Sequence, residues 1–412
     1  MKAPMTTAPA LELTPQAMDN LVEELRAYHA ISSPLLQRRA QREGAAKYLH
    51  GLLLDIPRKA IEPMLLALDG PQAQAVRTMH LFLSEGPWDD EALLHRHGQE
   101  VHTTLGEVDG VLTLDGSDFL QQGQESVGVQ RQYCGAVGKR AHGQAGVFLG
   151  SARRQGSTLL DRRLSVPQAW VEDDAYGARR RQCGVPQDIA FQPKPVLGWA
   201  MSQAVHHAGT VQARWVTCDE ACGRDTALLD RIDSLGLWYV AEGPHDTQVW
   251  PRRPATAVPA WAGQGRKPTR TRVLAGAGAP ITVAQLVASL PADRWVRHTI
   301  KEGSKGPLVA RFAAARVIAV RDSWPGPEVW LVVRRNELTG EVKTSLSNAP
   351  AEPLLATLVR LSGMRWPLET CCEDGKQYLG MGDDEGRGWR GWHHPMTLCM
   401  RAHFFLVRVC RK

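Results

Sequence analysis

Residues 110–115 read GVLTLD, and residues 213–219 read ARWVTCD. Each is a short apolar run, rich in strand-forming side chains, that closes on an aspartate. Such runs fit buried strands, and strand ends are where α/β sheets place their ligands. Residues 144–150, 159–166 and 237–242 (LWYVAE) read as further strands, and residues 194–206 as a helix. Strands interleaved with helices predict a mixed α/β core. The strand at 110–114 is expected to end at Asp115, and that at 213–217 to run into Cys218 and Asp219.

Outward from this core the texture changes. Residues 1–16 are rich in Ala, Pro and Thr and are expected to be disordered. Residues 17–100 read as a small all-helical domain. Leu21, Leu25, Tyr28 and Ile31 recur at spacings of three and four, and a second helix is expected over 34–54, before Pro57. Residues 101–250 form the first part of the core. Residues 251–280, beginning PRRPATAVPAWAGQGRKPTRTR, predict a basic loop. Residues 294–348 read as a run of strands, including 309–320 and 329–334. Turns are expected at Trp324-Pro325-Gly326 and Thr339-Gly340, so 251–350 reads as a basic loop plus a β-rich insertion. Residues 351–412 return to helix and complete the core.

The chain has 412 residues, enough for two or three domains and a sizeable core. No apolar run reaches the roughly 18 residues of a membrane span, and the N-terminus lacks the pattern of a secretory signal. A cytoplasmic, nucleoid-associated protein is expected. The eight cysteines are scattered, and Cys218 and Cys222 lack a second ligand pair at zinc-site spacing, which speaks for a reducing compartment without structural zinc. Net charge is a mild +6. Its distribution says more: Arg38, Arg39 and Arg42, then Arg179 to Arg181, then Arg266, Lys267, Arg270 and Arg272 form runs that together favour a polyanionic partner. Each run taken singly reads as a solvated face.

A third acid, Glu369, sits on an expected helix with Arg365 and Lys376 close to its own face. Carboxylates bind hard divalent cations through oxygen, and two such cations can activate one oxygen and stabilise another in phosphoryl transfer. Spacing alone favours a blander reading, since an Asp after a strand is more often a turn residue or a helix cap.

The wording of three segments goes further. The stretch from Asp115 to Gln144, with its run SVGVQRQYCG at 126–135, resembles the first catalytic block of bacterial insertion-sequence transposases with a DDE, RNase H-like domain, the insertion-sequence 701 group above all. Cys183-Gly-Val-Pro186 and Trp215-Val-Thr-Cys-Asp219-Glu220 resemble the block that carries the second aspartate. Arg365-Trp-Pro-Leu-Glu369, with Lys376 seven residues on, resembles the group's Tyr-Arg-Glu-Lys signature, and Gly391-Trp-His-His394 the segment after it. The resemblance implies an RNase H-like mixed sheet with flanking helices, a β-rich insertion, and a helical N-terminal domain that binds DNA. It implies Asp115, Asp219 and Glu369 as catalytic acids holding two Mg²⁺ ions, with Mn²⁺ as a substitute. Arg365 and Lys376 would hold DNA phosphates. The implied reaction cuts double-stranded DNA at transposon-end inverted repeats and joins the 3′-hydroxyl to target DNA, within a homodimeric synaptic complex. The alternative is a degenerate or domesticated descendant that only binds DNA.

This sequence departs from the pattern in two places. Ser362 stands where the signature has Tyr, and Gly116 and Ser117 follow Asp115, with Asp118 displaced and so an alternative to it. Arg131 and Lys139, flanking Cys134-Gly135, read either as DNA-backbone contacts or as a surface hairpin. Trp295 and Trp324 read as core or as base-stacking aromatics. His393 and His394 remain open to a metal or acid–base role.

Overall fold

The structure is a computed structural model describing residues 15–411 apart from 262, 265, 302–307, 353–354 and 384–385. The tail expected to be disordered lies outside these residues up to 14, and the first helix already begins at Pro15. Five helices open the fold: α1 (Pro15–Ser32), α2 (Arg39–Leu52), α3 (Ile61–Asp69), α4 (Ala73–Ser84) and α5 (Asp90–Leu105). The helix expected over 34–54 is shorter, because Pro34 sits in a separate 3₁₀ turn and the α-helix opens only where the Gln41 side chain accepts a hydrogen bond from the Arg38 amide. Asp89 caps α5 by accepting from the Ala92 amide, as a short acidic side chain does best at that position.

The sheet begins with β1 (Val111–Leu120), β2 (Gln130–Cys134), β3 (Lys139–Arg153) and β4 (Gly156–Ser165). Then come α6 (Gln168–Glu172), α7 (Gly177–Gln182), α8 (Lys194–Ala208), β5 (Trp215–Cys218), α9 (Glu220–Gly223), α10 (Thr226–Ser234) and β6 (Trp238–Gly243). Strand β3 lies between β1 on one side and β2 and β4 on the other, all antiparallel, while β1, β5 and β6 run parallel. The β1 run is longer than its apolar core. Parallel pairing to β5 stops at Leu114↔Cys218, but antiparallel pairing to β3 carries on from Asp115↔Phe148 to Leu120↔Gly143. Asp115 therefore ends one ladder in the middle of the other.

Beyond β6 the chain adds β7 (Gln248–Trp250), β8 (Thr256–Ala257), β9 (Arg272–Val273), β10 (Ile281–Thr282) and α11 (Val283–Ala288), then β11 (Val296–Lys301), β12 (Leu308–Arg321), β13 (Trp324–Asn336) and β14 (Val342–Ser347). Strands β8 and β9 pair with each other in a separate two-stranded sheet, but the others join the core. Strand β14 pairs with β6, and β13, β12 and β7 follow outward, so one twelve-stranded mixed sheet runs from β10 to β2. The turn expected at Trp324 lies two residues earlier: Asp322 and Ser323 hold φ of 48° and 66° between β12 and β13. A two-residue hairpin loop of that geometry matches strand twist, and Trp324-Pro325-Gly326 is left within the strand.

Three helices close the chain: α12 (Leu355–Ser362), α13 (Trp366–Tyr378) and α14 (Trp389–Val409). Every residue of α14 from Gly391 to Phe405 is buried. It lies between the N-terminal helices and β4, and the Tyr28 hydroxyl donates to the Arg401 carbonyl across that contact. One apolar cluster joins Leu49 and Leu52 of α2, Phe148 of β3, Leu368 of α13 and Trp392 of α14. The N-terminal helices are thus packed onto the sheet by the C-terminal helix. Among the described residues no helix is long and apolar enough to cross a membrane.

The histidines around α14 are built into this core. The His394 ring donates from Nδ1 to the Leu83 carbonyl and stacks on Trp88 at 3.7 Å, and His393 Nδ1 donates to the Trp389 carbonyl. Burial holds His97 and His394 down to about 3 and His403 to about 4. The unfolded chain protonates these rings below about 6.5, so the stability they allow is complete above that pH and is lost as pH falls toward 3–4. Each should cost about 2 kcal/mol by pH 5. Thermal midpoints measured from pH 8 to pH 4.5 should fall steeply below 6.5; a flat profile would show that these rings are charged in the native state.

Candidate active site

Strands β1, β5 and β6 are parallel, and their register puts Leu114, Cys218 and Ala241 side by side. The next residue of each is acidic: Asp115, Asp219 and Glu242. Neighbouring strands lie about 4.8 Å apart, so three carboxyl-bearing residues line up along one sheet end. Glu369 enters from the first turn of α13, where the helix dipole favours negative charge.

Arg365, at the start of α13, ties these acids together. Its Nη1 donates to Asp115 Oδ2 at 2.9 Å and lies 2.6 Å from Glu369 Oε1, while its Nε is 3.8 Å from Glu242 Oε1. Asp115 keeps its other oxygen on the Gly116 amide at 2.7 Å. Asp219 caps α9, accepting from the Cys222 amide at 2.9 Å, so the helix-cap reading of this residue and its place beside Asp115 are both met. Burial raises the Asp115 carboxyl to about 6; Arg365 and the Gly116 amide pull it back, and Asp219 and Glu369 push it further up. Burial works against the Arg365 cation, but Glu242, Asp115, Glu369 and Asp219 outweigh it and hold the guanidinium more firmly charged.

Along β1, Asp115, Ser117 and Phe119 share a face, and α13 lies over it. The Lys376 ammonium donates to the Asp118 carbonyl at 2.7 Å and sits 4.7 Å from the Phe119 ring. Asp118 points the other way, its carboxylate accepting from the Gly135 amide at 2.9 Å. It braces the β2–β3 hairpin and leaves Asp115 as the residue beside Asp219.

The chain brings Asp115, Asp219, Glu369 and Arg365 to one place, with Lys376 one step along β1. Arg131 and Lys139 are exposed on the β2–β3 hairpin, Arg131 on β2 and Lys139 at the start of β3 before its pairing with β1 begins at Gly143. Ser362 donates to the Val359 carbonyl and lines a pocket of about 250 Å³ together with Glu242, Arg334, Lys343, Arg365 and Trp366. Trp295 packs against the core beneath Arg335, whereas Trp324 is largely exposed. Several basic runs have internal partners: Arg39 pairs with Glu43, Arg42 donates to the Leu36 and Gln37 carbonyls, and Arg180 donates to Pro186 and Ile189 carbonyls. Cys218 and Cys222 are buried, and burial pushes both thiols strongly up.

Glu242 is the residue that sequence reasoning missed. Its signal is in the sequence: LWYVAE is an apolar strand closing on an acid, like GVLTLD and WVTCD.

The donor set is all carboxylate oxygen, suited to hard divalent cations, and a guanidinium already lies between two of the carboxylates. Among the described residues no three acidic, His or Cys side chains close around a single point as they stand. The residues fit such a cation in chemistry and sign, with Arg365 in its place.

The family model described as DDE superfamily endonuclease matches residues 33–307, well over half of the chain, and the protein belongs to that family. The matched stretch holds Asp115, Asp219 and Glu242 and ends before Arg365 and Glu369. No curated protein matches the chain. Membership gives it a DDE nuclease or transposase-type domain of a class that uses divalent metals and acts on DNA, and the large mixed sheet with flanking helices is compatible with an RNase H-like fold.

Proposed function

We propose that the protein is a transposase that cuts double-stranded DNA at transposon ends and joins the freed 3′-hydroxyl to target DNA, with Asp115, Asp219 and Glu369 as its metal-binding catalytic acids. The observation that carries this reading is the pairing of Leu114 with Cys218, which sets Asp115 beside Asp219, with Glu369 reached through Arg365. Two Mg²⁺ ions, or Mn²⁺, would supply Lewis-acid stabilisation of the attacking and leaving oxygens. The side chains do the rest. Asp115 and Asp219 offer oxygens from adjoining strands and Glu369 from the facing helix. Arg365 offers a planar fork of donors that matches a phosphate. Lys376, anchored on the Asp118 carbonyl, sets positive charge beside the same strand. Arg131 and Lys139 extend that charge along the edge hairpin. Two protomers would each hold one DNA end.

A second reading, a DNA-binding descendant without cleavage, is favoured by one observation: Ser362 leaves a pocket where the signature has a phenol. One assay separates the two. Full-length protein is incubated with DNA carrying its own gene's flanks and Mg²⁺. The native chain should give nicked and joined products, and Asp219→Ala neither. Binding without nicking by the native chain would establish the second reading.

A further inference from the structure

Arg365 faces two demands that conflict. Its Nη1 occupies the space between Asp115 and Glu369, and those two acids are free to share a divalent cation only if it leaves. Yet a guanidinium that left for solvent would no longer stand beside a phosphate held there. The structure contains a second place for it. Glu242, at the end of β6, lies with Oε1 3.8 Å from Arg365 Nε, and about three quarters of its side chain is withdrawn from solvent. Lys343 of β14 lies 3.8 Å from its other oxygen, and Glu242, Lys343 and Arg365 line one shared pocket.

Building on the metal-binding role proposed for Asp115, Asp219 and Glu369, we infer that Glu242 is a positioning residue: it receives the Arg365 guanidinium when Asp115 and Glu369 release it. No bond is made or broken in this exchange of ion pairs. Arg365 trades two carboxylates for one, and its Nε and Nη2 edge turns to Glu242. The carboxylate thereby lowers the cost of admitting a cation and keeps the guanidinium within the site. Its place two strands from Asp115 suits this task better than ligation, because Asp219 lies between them on β5.

One difference separates this role from that of a fourth ligand. A ligand acts on the cation whether or not Arg365 is present. A berth acts only through Arg365. The two therefore differ in a double-mutant cycle. Mn²⁺ binding to the full-length protein is followed by electron paramagnetic resonance of the free ion, for the native chain, Glu242→Gln, Arg365→Gln and the double variant. Glu242→Gln is isosteric, and circular dichroism confirms folding of each. Glu242→Gln should weaken Mn²⁺ binding by roughly tenfold in the native background, the scale of one charge-assisted hydrogen bond. In the Arg365→Gln background the same change should have less than a twofold effect, and Arg365→Gln alone should bind Mn²⁺ at least as tightly as the native chain. An equal loss in both backgrounds would make Glu242 a ligand, and no loss in either would leave it without a part; each overturns the inference. Asp219→Asn, run alongside, reports separately on the underlying reading. Mn²⁺ binding that survives Asp219→Asn removes the metal site itself, whereas binding lost there but indifferent to Glu242 removes only the berth.

Discussion

Asp115→Asn should lower Mg²⁺-dependent cleavage by roughly a thousandfold or more and, in the same protein held in chelator at pH 7.5, raise the thermal midpoint. The two halves follow from one fact. The Asp115 carboxyl is raised from the ordinary 3.8 to about 6, chiefly by burial, with Asp219 and Glu369 adding repulsion that Arg365 only partly offsets. A folded-state value above the unfolded one means that the ionised group opposes folding. That opposition is absent below about 4, grows as pH rises, and is complete above about 6. At pH 7.5 it amounts to roughly 2–3 kcal/mol, which a neutral amide of the same shape removes. Differential scanning fluorimetry of both proteins between pH 4 and 7.5 measures it: the midpoints should coincide at the acid end and separate by a few degrees at the other. The activity loss comes from the same charge, which is what a divalent cation would require. Coincident midpoints throughout would mean that the carboxyl carries no such load.

Gly223→Ala should be the most damaging single methyl in the site's surroundings. Gly223 closes α9 against the end of β6, and a Cβ there would lie 1.8 Å from the Glu242 carbonyl oxygen and 2.9 Å from its carbon. The neighbour is backbone on both sides, held by the β5–β6 and β6–β14 ladders, and no side chain can swing away. Helix and strand must separate instead. Asp219 caps that helix and Glu242 is the next-to-last residue of that strand, so the displacement falls on the spacing between two acids. We expect a loss of about 3 kcal/mol or more and, at 15 °C where the variant stays folded, cleavage reduced by at least tenfold. A variant with native midpoint and native cleavage would show that α9 and β6 are not locked as described.

Much of this was legible in the chain. Apolar runs closing on acids located β1, β5 and β6, because a buried parallel strand must be apolar throughout and can turn polar only where it emerges. Helical spacing put Arg365, Glu369 and Lys376 near one face of α13, but their choice as site residues came from the resemblance to the Tyr-Arg-Glu-Lys signature. The length of β1 was not legible. Gly116, Ser117 and Asp118 look like a turn, and only the long antiparallel partner β3 draws them into the ladder. The hairpin turn was misplaced for a related reason: Pro325 and Gly326 carry the strongest turn signal, yet Asp322 and Ser323 take the positive φ angles. The Arg365 contacts were the least accessible. Residues 250 positions apart meet in that ion pair, and nothing in either segment announces the other.

The strands from β7 to β14 do more than lengthen a sheet. In a smaller relative of this architecture β6 would be the last strand, its amides and carbonyls open to any passing chain. Here β14 occupies that edge along Ala241, Glu242 and Gly243. Whatever else the extension touches, it shields the rim on which the acidic side chains stand, so a trimmed chain lacking it would present a sticky flank right beside those acids.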